Sequence, residues 1–200
     1  MSGVFSTYLQ LGFEHIADLN GYDHILFLVA LCAVYQGHDW KKVAVLVTAF
    51  TVGHSLTLAL AALDIFEVSS PLVEFLIPVT IFATSLGNTH PSALDSSAAG
   101  GFSKAMVFRY VSALFFGLIH GLGFSNFFRQ MTLPGQENGL IAQLFAFNVG
   151  VEVGQLLIVG LILSLTWLSS LRISARSWNI FISGAAAGIS LLLMLERFPT

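Results

Sequence analysis

Six apolar stretches, residues 22–35, 43–63, 71–86, 105–128, 140–168 and 178–195, take up most of this chain. A helix that crosses the ~30 Å hydrocarbon core of a bilayer needs about 20 predominantly apolar residues. Five stretches approach or exceed that length, and the first, which is short, is expected to extend on its N-terminal side. None shows the strict alternation of a membrane β-barrel strand. The expected fold is therefore all-α: a polytopic membrane helical bundle of about six transmembrane helices, forming one integral membrane domain over residues 1–200. Composition agrees, with 56% hydrophobic and only 10% charged residues, too few charges to cover a water-soluble surface. That excludes a soluble enzyme and a disordered regulator. With Lys plus Arg at 8 against Asp plus Glu at 11, no basic surface is available for nucleic acid. The single cysteine, Cys32, excludes an intrachain disulfide and a cysteine-caged metal.

The first twelve residues contain neither Lys nor Arg, so they lack the charged start of a secretory signal. Residues 4–19 read as a short interfacial helix, with Leu9, Leu11, Phe13 and Ile16 among polar neighbours. Residues 88–104, rich in Ser, Ala and Gly, read as a surface loop. Lys41, Lys42, Lys104, Arg109, Arg172 and Arg176 fall on one side of the expected bundle, and Arg129 and Arg197 on the other. The positive-inside rule makes the first set cytoplasmic and leaves both termini outside. Gly184 and Gly188, four residues apart, have the spacing of a close helix approach.

Ionisable groups recur inside these apolar spans, where a charge at the centre costs about 2.5–3.5 kcal/mol or more. Asp23 and His24 open the first span, His54 and Ser55 lie midway along the second, and Glu74 is early in the third. His120 is late in the fourth, among Gly117, Gly121 and Gly123. In the fifth, Asn148, Glu152 and Gln155 share one helix face by their i, i+4, i+7 spacing. At ~1.5 Å of rise per residue, Glu74 lies about 5 Å below the outer boundary, His120 about 10 Å and Asn148 about 12 Å. His54 follows at about 13 Å and Glu152 at about 18 Å. A lone membrane histidine commonly only bonds a neighbouring helix, a contact averaging ~0.6 kcal/mol. Three histidines and three carboxylates at overlapping depth are harder to explain that way. Imidazole with carboxylate suits a divalent transition metal such as nickel, cobalt or zinc.

Five blocks in order, HIADLNGYDHILFL (15–28), FTVGHSLTLAL (50–60), Val73–Glu74, FGLIHGLGF (116–124) and FNVGVEVGQ (147–155), resemble the HupE/UreJ family, most closely its second branch. Its members are bacterial membrane proteins regarded as nickel or cobalt permeases. The resemblance spans nearly the whole chain and implies a bacterial cytoplasmic membrane. The family's metal-associated block pairs an upstream histidine with an Asp-His dipeptide, matched here by His15, Asp23 and His24. Seven residues separate His15 from Asp23, a wider gap than the family spacing, and Asn20–Gly21 breaks the helix between them. His15 is therefore expected to sit differently from His24.

Two readings of the polar cluster follow. In a permease, His24, His54, His120 and His15 supply nitrogens to a divalent metal substrate. Asp23, Glu74 and Glu152 then supply oxygens, and Asn148, Gln155 and Ser55 orient the ligands. In an intramembrane metal-dependent hydrolase or transferase, the same groups hold zinc, with Glu74 or Glu152 as base on a bound water. No His-Glu-x-x-His motif supports the enzyme, and a structural membrane subunit is the third option. The lipid bilayer is the expected partner in each case, and homo-oligomerisation stays open.

Overall fold

The computed structural model describes residues 2–63, 65, 68–98, 103–131 and 139–199. Every regular element among them is helical. In chain order these are α1 (Ser2–Ala17), α2 (Asp23–Cys32), a 3₁₀ turn (Gly37–Asp39), α3 (Trp40–Ala62), α4 (Ser70–Thr89), α5 (Ala93–Ala98), α6 (Lys104–Met131), α7 (Leu140–Ser170) and α8 (Ala175–Glu196). Local chemistry marks several boundaries. Pro71 starts α4, where its missing N–H costs nothing. The Ser174 hydroxyl accepts from the Ser177 amide to open α8. Ahead of α3, the Gln36 amide donates to Asp39 Oδ2 across the 3₁₀ turn.

Among the described residues, five helical stretches are long and apolar enough to cross a membrane: Gly37–Ala61, Ser70–Thr89, Lys104–Phe124, Leu140–Ser170 and Ala175–Glu196. Their outward faces carry Phe108, Val111, Leu157, Leu161 and Phe181, all exposed, as lipid contact requires. The expected first span differs. It is realised as α2, only 10 residues long and so about 15 Å, half the hydrocarbon thickness. Seven of its ten residues are buried, including Phe27, Leu28, Ala30 and Cys32 at 0% exposure. It is a half-helix held inside the bundle.

A helix stands at the expected N-terminal position as α1, but it is docked lengthwise on α7 instead of lying as a separate interfacial helix. Gly12 meets the backbone of Phe147 and Val151, Gly150 meets Leu9 and Phe13, and Gly154 meets Phe13 and Ile16. The register advances the same way along both helices, so α1 and α7 run in parallel. α2 runs in that sense too, from Asp23 beside Arg197 at the end of α8 to Ala30 beside Asn88 at the end of α4. The chain therefore breaks between α1 and α2 without reversing. Irregular backbone at such a depth is tolerated where it lines a cavity, and Asp18, Leu19 and Gly21 of the break do so.

A second close pair, α3 and α6, forms the spine. A methyl group on Gly53 would collide with the Leu114 carbonyl, one on Gly117 with the Phe50 carbonyl, and one on Gly121 with Thr57 and His54. Gly184 and Gly188 face open space instead, so their spacing does not serve the close approach expected of it. The expected loop at 88–104 also differs, because its Ala93–Ala98 portion is a docked helix. Ser97 is buried there, its hydroxyl on the Val34 carbonyl and its own carbonyl accepting from Lys42. Residues 99–102 and the Arg129 side chain lie outside what is described.

The glycine contacts have a direct test. Gly117→Ala forces a methyl into backbone and should destabilise the protein by about 1–3 kcal/mol, whereas Gly184→Ala should stay within about 0.5 kcal/mol of the parent. Thermal unfolding of both variants in detergent checks the contrast, and equal melting temperatures would contradict it.

Candidate metal centre

Four helices bring one histidine each to the same place: His15 from the end of α1, His24 from the start of α2, His54 from α3 and His120 from α6. One ligand-capable nitrogen from each of His15, His24 and His54 lies within 4.8 Å of the other two. The ring centroids are 4.6 Å apart for His15–His24, 5.7 Å for His15–His54 and 5.9 Å for His24–His54. His120 joins this group through His24, at 5.2 Å. Zinc–nitrogen bonds of ~2.0–2.1 Å place two ligand nitrogens at most ~4.2 Å apart. Side-chain movements of under about an ångström would therefore close the set on one ion.

The hydrogen bonding is incomplete in a consistent way. His54 and His120 are fully buried and His24 nearly so, yet among the described residues His15 Nε2, His24 Nε2, both nitrogens of His54 and His120 Nδ1 have no hydrogen-bond partner. Leaving such a group unpaired costs about 1–3 kcal/mol. His120 shows how its lone pair is aimed. Its Nε2 lies 3.0 Å from Thr80 Oγ1, whose own proton goes to the Ile77 carbonyl. The Thr80 oxygen therefore accepts, which assigns the His120 proton to Nε2 and leaves Nδ1 as a bare lone pair. Aromatic rings wall the cluster: Phe124 lies 4.0 Å from His15, and Phe50 and Phe27 lie 5.1 and 5.2 Å from His120.

The carboxylates are placed separately. Asp23 adjoins His24, but its Oδ2 pairs with Arg197 Nη1 at 3.0 Å while Oδ1 is buried without a partner. Glu74 is exposed on α4 and lines a cavity of about 970 Å³ together with His15, Asp23, His24, His120 and Arg197. Glu152 lies elsewhere, held by Thr48 Oγ1 at 2.6 Å and by the Thr51 hydroxyl. Thr51 is three residues before His54 on α3, so Glu152 sits about 4.5 Å further along the bundle.

Gln155 Oε1 lies 2.7 Å from Thr51 Oγ1, and its Nε2 has no partner. Thr51 has one proton to give. Turning the Gln155 amide over makes Nε2 the donor and keeps the Thr51 proton for Glu152. Asn148 Nδ2 donates to the Leu144 carbonyl, and its Oδ1 faces His54 without a well-formed hydrogen bond. Ser55 donates back to the Thr51 carbonyl.

The structure thus brings His15, expected to sit differently from His24, into the same group, with His24 as the ring near the other three. It leaves Glu74 at the mouth and Glu152 beyond it. Four participants were not assigned to the site from the sequence: Thr48, Thr51, Thr80 and Arg197. Arg197 was the readable one, since the charge asymmetry puts it on the same side as Asp23. A family profile described as HupE / UreJ protein matches residues 1–197 of the chain. No curated protein sequence and no solved structure matches it.

If Thr80 sets the His120 lone pair, Thr80→Val should weaken nickel or cobalt binding about tenfold or more, and Thr80→Ser should restore it. His54→Ala should lose more. Titration calorimetry on metal-stripped protein, with melting temperature as the control for folding, measures both. Unchanged affinity in His54→Ala would contradict a shared site.

Proposed function

The chain belongs to the HupE/UreJ family, and from that premise we propose that it is a permease for a divalent transition metal, nickel or cobalt, in a bacterial cytoplasmic membrane. The observation that carries this reading is the group of three histidine nitrogens within 4.8 Å of one another, unpartnered inside an apolar bundle. Neutral imidazoles suit nickel, cobalt and zinc in preference to magnesium or calcium.

In this reading the metal enters through the cavity that Glu74 and Asp23 line, where carboxylates raise the local cation concentration. Arg197 holds Asp23 until the cation replaces it. His15, His24, His54 and His120 then take the ion, and Asn148 orients His54. Glu152, with Gln155 beside it, is the next station inward. A carboxylate at that depth is costly unless a cation pairs with it, and the passing metal supplies that pairing. The bias of basic residues sets the mouth outside, with both termini on that side. Protonation removes the imidazole lone pair, so binding weakens as pH falls.

The hydrolase reading has less support. Among the described residues neither Glu74 nor Glu152 joins the histidine group: Glu152 is engaged by Thr48 and Thr51, and Glu74 is exposed on the wall of the cavity.

Binding and conduction separate in liposome uptake measured over a nickel or cobalt titration. Glu152→Gln keeps shape and removes charge, so maximal flux should fall at least about tenfold while metal still binds the histidines; loss of one buried charge pairing is of that order. His24→Ala should raise the half-saturating concentration about tenfold or more, with maximal flux less affected. Normal maximal flux in Glu152→Gln would remove that residue from the pathway.

A further inference from the structure

A second cavity, of about 480 Å³, opens at the opposite end of the bundle between α4 and α6, beside α5. It is amphiphilic. Leu31, Phe108 and Phe116 line its apolar part, and Arg109, His90 and Ser92 its polar part. Gly87 lines it, and a methyl group there would meet nothing within 4 Å.

Arg109 is the unusual member. It is half-buried, donates to the Asn88 side-chain oxygen at 3.4 Å and the Ala93 carbonyl at 3.2 Å, and lies 5.9 Å above the Tyr35 ring. Among the described residues no carboxylate pairs with it. Two neutral acceptors leave most of its five N–H donors free, and a cation in an apolar wall needs an anion. The protein's three tryptophans, Trp40, Trp167 and Trp178, lie at this end of the helices with Lys41, Lys42 and Lys104. Aromatic and basic residues of that kind mark the headgroup level of a bilayer.

We propose that this cavity binds one anionic phospholipid, its phosphate on the Arg109 guanidinium and the start of an acyl chain along Leu31, Phe108 and Phe116. Guanidinium matches phosphate bidentately. Inorganic phosphate would satisfy Arg109 but leave the apolar part of the cavity unfilled, which is why the lipid is the occupant. The site is independent of the histidine cluster and of any transport.

Native mass spectrometry of the detergent-purified protein tests this, with phosphatidylglycerol, phosphatidylethanolamine and inorganic phosphate as separate probes. The parent should retain one phosphatidylglycerol, preferred about fivefold over phosphatidylethanolamine, and millimolar phosphate should not displace it. Arg109→Gln should abolish the preference. Gly87→Leu, which fills the cavity and keeps the charge, should lower retention of both lipids, so the proposal remains testable if Arg109→Gln fails to fold. Unchanged phosphatidylglycerol preference in Arg109→Gln, unchanged retention in Gly87→Leu, or displacement by phosphate would each overturn it.

Discussion

The direct contact of backbones at glycines is the constraint on which the rest of this structure depends. Lipid offers no hydrophobic drive for helices to associate, so they hold together by close packing and interhelical hydrogen bonds. Here α3 and α6 touch through Gly53, Gly117 and Gly121, and α1 and α7 through Gly12 and Gly150. The first pair carries His54 and His120. The second carries His15 at one end, with Asn148 and Glu152 facing α3. Any larger residue at Gly117 or Gly121 would push His54 and His120 apart.

Within that frame the histidines are held where the bundle gives them little else to bind. His24 does not donate its Nε2 to a neighbour, and His54 has neither nitrogen engaged. Structural membrane histidines would be expected to hydrogen-bond across helices. Thr80 sharpens the contrast, because it consumes one nitrogen of His120 and leaves the other bare. The break between α1 and α2 completes the arrangement, putting His15 and His24 on two short segments around a lined cavity. Discontinuous helices of this kind form substrate sites in many transporters.

Much of this was legible in the sequence, and the exceptions have physical causes. The lengths of the later spans follow from a constant rise per residue, which the bilayer leaves little room to alter. The length of α2 did not follow, because apolar runs do not reveal whether a helix faces lipid or is enclosed by others. His15 was named as a ligand but expected to sit differently from His24 across the Asn20–Gly21 break; a break without reversal instead leaves the two ring centroids 4.6 Å apart. Gly184 and Gly188 have the small-residue spacing but open space in front of them, whereas the same spacing at Gly150–Gly154 and Gly117–Gly121 lies against α1 and α3; spacing alone does not say which face meets a helix. Glu152 was assigned by depth and by the helix face it shares with Asn148 and Gln155. Neither records that Thr48 and Thr51 face it from α3.

The central claim is that the histidines from four helices form one site. X-ray absorption spectroscopy of protein loaded with one equivalent of nickel or cobalt tests it most directly, because imidazole rings give a distinctive multiple-scattering pattern. The expected spectrum contains at least three imidazoles in the metal's coordination shell, falling by one in His54→Ala. A shell of oxygen donors with one imidazole or none would contradict the account.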